Sequence, residues 1–432
     1  MKMNFERAKS VVLLLLVLLS LALTWGLWTF QPQYDFGKRA NKAQVVTIGE
    51  KRQFNEVITP IQFIYHHGGY HYGLLDDWIT NDLYHIVMDV NVLDYEYLDH
   101  ITKRGLLDTL HNGSSLELVF PVQLPVTISN YIMKPVRQEW DIASFDRIFV
   151  HISKNPALYL IATAGDQAIK LPIDMEDVRK IQEKIGQVGG SKQLFFSINA
   201  RDGQRLYLPD NQISLTPLTF TTARIPPTEI KNALFPDPNG VKQYRLNNGE
   251  ESFTDEIRAL EILQNQTMLR YVNPAKQDVY GLEPEELILK SVEFVNDHSG
   301  WTDSYMLIDW KKANQSVQFQ LMVNGYPVFH PNGMTTIYES WSESEVYEYN
   351  RSLINLRFQI DNGQESILLP SGRELLSYLT QVKPNFSLSL LEFALIGYEI
   401  EKKDSDFTVA TIQPSWFIKY DGKWEKVSIP NR

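Results

Sequence analysis

Three histidines fall within six residues in Tyr65-His66-His67-Gly68-Gly69-Tyr70-His71-Tyr72, with Asp76 and Asp77 close behind. Imidazole and carboxylate are groups that zinc and copper take as ligands, so metal chemistry is the first possibility to weigh. The spacing argues against it. Gly68-Gly69 breaks any helix, so His67 and His71 cannot form the one-turn pair of a helical zinc site. The glycines predict a tight hairpin turn carrying exposed imidazoles, for which no metal and no cofactor is expected.

A second cluster, Asn296-Asp297-His298-Ser299-Gly300-Trp301-Thr302-Asp303, holds the residue types of a hydrolase triad. A triad needs Ser, His and Asp converging from separate positions, whereas adjacent residues point in different directions. A helix end explains the stretch more simply, with His298 near the last carbonyls and Gly300 as the cap. The sequence holds no G-x-S-x-G elbow, Walker lysine motif, H-E-x-x-H or G-x-G-x-x-G, so acyl transfer, nucleotide hydrolysis, zinc proteolysis and dinucleotide binding lack support. No catalytic residue is expected, although a glycosidase carboxylate pair leaves no mark in sequence. In Tyr338 to Tyr349, read as one strand, Glu339, Trp341, Glu343, Glu345 and Tyr347 share an acidic face with aromatic anchors. Such a face suits a cationic partner, and equally serves as ordinary solvation and edge protection.

These residues must be positioned by a largely antiparallel scaffold. Asp202-Gly203, Asn324-Gly325, Asn362-Gly363 and Asp421-Gly422 each sit between runs rich in aromatic and β-branched residues, the pattern of hairpins. Helical spacing appears less often. Val178, Ile181, Ile185 and Val188 form one stripe before Gly189-Gly190, and Pro284 opens another with Leu287, Ile288, Ser291, Val292 and Val295. A third runs from Ser371 through Leu375, Leu376 and Leu379. Strands broken by occasional helices without a βαβ rhythm indicate an α+β fold.

Leu269 to Pro274 and Tyr347 to Ser352, about 78 residues apart, each close a strand-like run and precede a helix and a pair of strands. The run from Val317 to Phe329 mirrors the run from Thr411 to Val427 in that order. This echo predicts two alike α+β domains, residues 236–330 and 331–432, after a distinct domain at 45–217. The proline-rich stretch 217–238 reads as the linker.

Val11 to Phe30 is uncharged throughout its twenty residues. At about 1.5 Å per residue it matches a hydrocarbon core of roughly 30 Å, so a single transmembrane helix is expected, after a cytoplasmic tail at 1–10. Trp25, Trp28 and Tyr34 stand where an outer aromatic belt would lie, and Pro32 ends the helix. Lys2, Arg7 and Lys9 place the N-terminus in the cytoplasm by the positive-inside rule, against a later and equal count at Lys38, Arg39 and Lys42. The run is longer than a signal-peptide core and no A-x-A site follows, which favours an uncleaved anchor. Within it, Ser20 and Thr24 share one face and Ala22 and Gly26 another, two small-residue surfaces suited to helix contacts in lipid.

The charge balance, 41 Lys and Arg against 52 Asp and Glu, leaves −11 and argues against nucleic acid as a partner. There is no cysteine, which removes disulfides, thiol nucleophiles, Cys-ligated zinc and a lipidated N-terminal cysteine. Of 432 residues, 44% are hydrophobic, enough for ordinary folded cores.

Several stretches appear together and in order: Glu6-Arg7-Ala8-Lys9-Ser10 running into the Leu-rich span, Trp28 to Pro32, Phe235-Pro236-Asp237-Pro238, Tyr271-Val272-Asn273-Pro274, Ser291 to Asp303, Gly325 to Phe329, and Leu369-Pro370-Ser371-Gly372. In this combination the chain resembles the YycH (WalH) family, accessory regulators of the WalK/WalR two-component system. The resemblance implies one N-terminal membrane helix and three extracytoplasmic domains, the last two alike. It implies a non-enzymatic regulator that associates with the sensor histidine kinase WalK and the companion YycI (WalI) in the lipid bilayer. Contact is expected largely through membrane helices, so Ser20, Ala22, Thr24 and Gly26 are the expected partner-binding residues. The outcome would be tuned WalK/WalR signalling and, through it, cell-wall metabolism. The alternatives are an extracytoplasmic ligand-binding co-receptor and a wall-associated enzyme.

Overall fold

The computed structural model describes Leu13, residues 16–20 and residues 48–430, with breaks at 103–104, 135–141, 190–191, 202–203, 246–249, 264–266, 275–280, 343–344 and 403–407. The chain divides into two compact units, Met1–Val45 and Val46–Arg432. In the first, Leu13 and residues 16–20 are helical with exposed side chains. The rest of the expected span, with Ala22, Thr24 and Gly26, lies outside the described residues. Among the described residues no helix is long and apolar enough to cross a membrane.

The second unit is a mixed α+β structure built on large antiparallel sheets. Its first sheet has nine strands: β1 Gln62–His67, β2 Tyr70–Leu74, β3 Glu96–Asp99, β4 Ser114–Pro125, β5 Ser144–His151, β6 Ala157–Ala162, β7 Gln167–Pro172, β8 Lys192–Asn199 and β9 Arg205–Pro209. They lie in the order β3-β7-β6-β5-β4-β1-β2-β8-β9. The predicted turn is present: Gly68 and Gly69 have φ of 60° and 80°, and His66 opposes His71 across β1 and β2. Asp202-Gly203 lies outside the described residues, although the flanking β8 and β9 pair as a hairpin.

Strand alternation gives this sheet two buried faces. Leu116, Leu118, Leu158 and Leu160 belong to a core shared with helices α1 Asp77–Met88 and α3 Met175–Gln187. The predicted stripe Val178, Ile181, Ile185 and Val188 is buried in that core. Asp76 caps α1 by accepting the Ile79 N–H at 3.1 Å. Residues of opposite parity, Phe149, Ala157, Tyr159 and Ile161, pack with Leu110 of helix α2 Leu106–Asn112.

The larger sheet takes β11 Leu218–Arg224, β12 Lys242–Arg245, β13 Glu251–Thr254, β14 Ala259–Leu263, β15 Met268–Val272, β16 Tyr305–Lys311, β17 Ser316–Val323, β18 Tyr326–Phe329, β19 Thr336–Ser342, β20 Glu345–Ser352, β21 Ile354–Ile360, β23 Leu391–Lys402, β24 Val409–Tyr420 and β25 Lys423–Val427. β10 Ile213–Leu215 and β22 Ile367–Leu369 form a separate pair. Helices α4 Pro227–Leu234, α5 Pro284–Asp297 and α6 Gly372–Val382 accompany these strands. The five predicted inward residues of α5 are all buried. Ser371 caps α6 in a reciprocal box with Glu374. The echoed segments are direct neighbours, β15 and β20, with Tyr271 opposite Tyr349. β15 is followed directly by α5, whereas β21 and β22 intervene between β20 and α6; the later turns Asn324-Gly325 and Asp421-Gly422 both have φ of 50° and 76°.

Three expectations are corrected. The stretch 217–238 is no linker: β11 sits between β24 and β21, and α4 follows. Buried Leu218, Phe220, Ile225 and Ile230 hold it in the core, while Pro227 opens a helix at a position where proline loses no hydrogen bond. Asn362-Gly363 closes no hairpin, because β21 pairs with β11 and β22 with β10. Tyr338 to Tyr349 is two strands, paired Trp341 to Val346, so the single acidic face does not form. Glu339 and Trp341 point inward, Glu345 and Tyr347 are exposed, and Glu343 lies outside the described residues.

Candidate functional site

The face of the nine-stranded sheet beneath α2 carries a buried polar cluster. His66 comes from β1, His71 from β2, His111 from α2, Glu117 from β4, Arg147 from β5 and Tyr207 from β9. Ile64 is the register partner of Glu117 and Ser115 that of His66, so His66 and Glu117 are diagonal neighbours on one face. His66 Nε2 lies 2.9 Å from Glu117 Oε2, and His66 Nδ1 lies 2.8 Å from His71 Nδ1. Arg147 Nε is 3.1 Å from Glu117 Oε1. His111 Nε2 stands 3.7 Å from Glu117 Oε2, beyond hydrogen-bond range. Phe149 and Tyr207 wall the imidazoles, with ring centroids 5.9 and 5.6 Å from His66.

The electrostatics follow from this enclosure. Burial pushes His66 below the ordinary imidazole range, against the opposing pull of Glu117. His71 is lowered to about 4 by burial and by the neighbouring His66 and His111. Burial also works to raise Glu117, but the polar contacts from His111 and His66 and the Arg147 charge outweigh it and hold the carboxyl well below its usual range. An ionised Glu117 requires His66 to donate from Nε2. His66 Nδ1 then accepts from His71 Nδ1–H, which fixes the tautomers of both rings. His111 Nδ1 and the Tyr207 hydroxyl are buried with no hydrogen-bond partner among the described residues.

Sequence reasoning reached His66 and His71 but expected exposed imidazoles. The structure corrects this for His66, which is completely buried, while His71 is half-buried and His67 exposed. The cause is strand parity: the hairpin turns His66 toward α2 and His67 toward solvent. Glu117, Arg147, His111 and Tyr207 were missed. A signal existed in Leu116-Glu117-Leu118-Val119-Phe120 and Phe145-Asp146-Arg147-Ile148-Phe149, where charges interrupt strands otherwise apolar on both faces. Asp76 is a helix cap, and Asp77 lies apart from the histidines in a cavity described below.

The second predicted cluster resolves into a helix terminus. His298 Nε2 is 3.2 Å from the Tyr349 hydroxyl, and its pKa falls to about 3 through burial and the nearby Arg351. The left-handed residue is Ser299, at φ 49°, rather than Gly300. Gly300 is required for another reason: a Cβ there would lie 2.5 Å from His298 Nε2. Its N–H bonds the Val295 carbonyl at 2.8 Å, closing the helix. Asp303 accepts from the Leu356 N–H and from the Thr302 hydroxyl. His298 and Asp303 thus serve different partners, and buried Arg351 binds the Gly300 carbonyl at 2.6 Å.

A cavity of about 350 Å³ opens where α1 and strands β1 and β2 meet β23 and the turn between β17 and β18. Ile64, Phe195, Met306 and Ile396 supply apolar wall, and Gln62, Asp77, Asn81 and Asn324 supply polar groups. Burial, aided by neighbouring Asp76, raises the Asp77 carboxyl. Its volume falls within the range of small-molecule sites.

Residues 6–189 match the model of the YycH protein N-terminal domain, and residues 203–431 that of the YycH protein C-terminal domain. The chain belongs to the YycH family. A family member, the two-component system WalR/WalK regulatory protein YycH of Bacillus subtilis (strain 168), is 22% identical over 440 residues, covering 98% of this chain and 96% of the relative. The crystal structure of YycH from Bacillus subtilis matches at a TM-score of 0.71 and 20% identity, covering 88% of this chain and 99% of that one. The YycH fold is therefore shared across nearly the whole of the solved chain.

Proposed function

We propose that this protein is a membrane-anchored, non-enzymatic regulator of the WalK sensor histidine kinase. In this reading it acts with YycI (WalI) through transmembrane helix contacts and tunes WalK/WalR output and so cell-wall metabolism. The observation that carries this reading is the end-to-end likeness to a WalR/WalK regulatory protein, which spans 98% of this chain. The N-terminal family match begins at residue 6, ahead of the apolar run, so that run belongs to the shared length. In the proposed topology the N-terminus is cytoplasmic and the bulk of the chain, in three domains, lies outside the membrane.

A helix packed against the kinase span biases a two-state sensor only by binding one state better than the other. A preference of about 1.4 kcal/mol shifts that equilibrium tenfold, within the reach of a few interhelical contacts. Two small-residue faces provide for two partners, Ser20 and Thr24 for one, Ala22 and Gly26 for the other. Replacing either pair by Leu is expected to weaken co-purification of a different partner in each case. Equal retention of both partners would refute the assignment.

The function itself is tested in cells lacking the protein and expressing either residues 1–34 or the full chain, with membrane insertion verified for both. Restored kinase output from residues 1–34 assigns regulation to the helix. Restoration by the full chain alone assigns it to the outer unit, and restoration by neither refutes the regulatory reading. A second reading, a ligand-binding co-receptor, is favoured by the cavity of about 350 Å³ with its apolar wall and convergent Gln62, Asp77, Asn81 and Asn324. It adds an input to the same output.

A further inference from the structure

We propose that His66, His111 and Glu117 bind one divalent transition-metal ion of the zinc class, with His71 and Arg147 as the outer partners that orient two of the ligands. The three residues, all buried, present donor atoms that lie within 4.8 Å of one another. Zinc bonds of about 2.0–2.1 Å in a tetrahedron set ligand atoms roughly 3.3 Å apart. The His66–Glu117 and His111–Glu117 separations, 2.9 and 3.7 Å, fall on either side of that value. Two imidazoles and one carboxylate form a donor set that zinc takes, with a remaining position for water, and one that calcium or magnesium does not prefer.

One feature goes unexplained if the cluster is only a polar network. His111 turns Nε2 toward Glu117 at 3.7 Å, longer than a hydrogen bond. An ion between His111 Nε2 and Glu117 Oε2 gives that ring orientation its role. The surroundings already resemble an outer shell: the second nitrogen of His66 meets His71, and the second oxygen of Glu117 meets Arg147.

Charge and protons balance. With neutral imidazoles, Glu117 and Asp146 against Arg147 give a formal −1, the nearby Arg205 is offset by Asp108 at 3.9 Å, and a divalent ion brings the sum to +1. New bonds form at His66 Nε2, whose proton leaves to solvent, and at His111 Nε2, with the His111 ring proton carried on Nδ1. The His71 Nδ1 proton passes to His66 Nδ1, and half-exposed His71 takes one from solvent at Nε2, so there is no net release. His71 is also the member of the cluster open to solvent, and the ion enters beside it.

The test uses the purified full chain, stripped with chelator and titrated with Co²⁺ followed by Zn²⁺. Expected are one equivalent of Co²⁺ with the intense visible bands of four-coordinate cobalt, displacement of that signal by Zn²⁺, and a Zn²⁺-dependent rise in Tm. His111→Phe is the decisive variant, because it removes a metal ligand while the His66, His71 and Arg147 contacts to one another and to Glu117 stay in place. It is expected to retain a cooperative metal-free urea transition and lose more than about 100-fold in affinity, beyond what loss of an outer partner causes. His67→Ala, on the exposed side of the hairpin, is expected to bind as wild type. X-ray absorption of the wild-type zinc form serves as a measure independent of any variant, and is expected to show two imidazoles with oxygen ligands. Absence of stoichiometric cobalt binding, wild-type affinity in His111→Phe, loss of binding in His67→Ala, or a zinc shell without two imidazoles would each overturn the proposal.

Discussion

Replacing Arg147 by Met removes the guanidinium that faces Glu117 and leaves the carboxylate in a site where it is 1% exposed. The charges are 3.1 Å apart, and at that separation an effective dielectric of about 20 gives an attraction of roughly 5 kcal/mol. Breaking a buried pair by removing one partner is accordingly expected to cost about 3–5 kcal/mol. Glu117→Gln strands Arg147 instead and is expected to cost a similar amount. The double variant removes both of these charges, while Gln still accepts from His66 Nε2, and should recover most of the loss, the remainder being the looser Asp146 contact with Arg147 at 3.8 Å. The assay is urea unfolding of chelator-treated protein at neutral pH, followed by tryptophan fluorescence. With a slope of about 3 kcal/mol/M, each single variant lowers the midpoint by about 1 M or more. The single changes are non-additive if the structure is right, with a coupling of about 3 kcal/mol or more. A loss under about 1 kcal/mol in Arg147→Met, or a double variant as unstable as the sum of the singles, would refute the reasoning.

Glu339 is fully buried, with Oε1 unpartnered, and burial raises its carboxyl well above the usual range despite contacts from Ser291 and Trp341. Its neutral form is therefore favoured in the fold, and wild type loses stability as pH rises from about 4.5 toward the folded pKa, by about 1.4 kcal/mol per unit. Glu339→Gln should gain relative to wild type over that window; a difference independent of pH in parallel denaturant melts would count against this. His298 is lowered to about 3 by burial and Arg351, so its contribution is complete above about 6.5 and declines as the unfolded chain takes up a proton below it. Comparing His298→Gln with wild type between pH 6.5 and 5 should expose a slope of about 1.4 kcal/mol per unit that the variant lacks. Ser371→Ala breaks the capping box of α6 and should lower stability by about 1 kcal/mol, read as a shift in Tm.

The helices at 175–187, 284–297 and 372–382 were legible because amphipathic spacing and their end signals are local properties of the chain. The Gly68-Gly69, Asn324-Gly325 and Asp421-Gly422 turns were legible for the same reason: left-handed backbone selects glycine and asparagine or aspartate. Where a local signal admitted two geometries, it misled. Gly363 does take left-handed backbone, at φ 62°, but nothing local states which strands then pair. The prolines of 217–238 mark ends of elements rather than the absence of them. Tyr338 to Tyr349 alternates well enough for one strand, yet it folds back on itself and sends Glu339 inward.

By itself the sequence determined the α+β character, the hairpin that brings His66 beside His71, the positions of three helices and membership of the YycH family. Each depends on residue order over a few to a few dozen positions. Tertiary structure alone decided the site. His66, His111, Glu117, Arg147 and Tyr207 come from five elements spread over 142 residues, and their meeting depends on the register of β1, β4, β5 and β9 and on α2 covering one face. Register is set by burial summed over whole strands, and a shift of one residue would turn every one of those side chains to the opposite face. The same enclosure that depresses His66 and His71 and keeps Glu117 charged exists only once α2 has closed over the sheet, so the chemistry of the cluster belongs to the fold rather than to any segment of the chain.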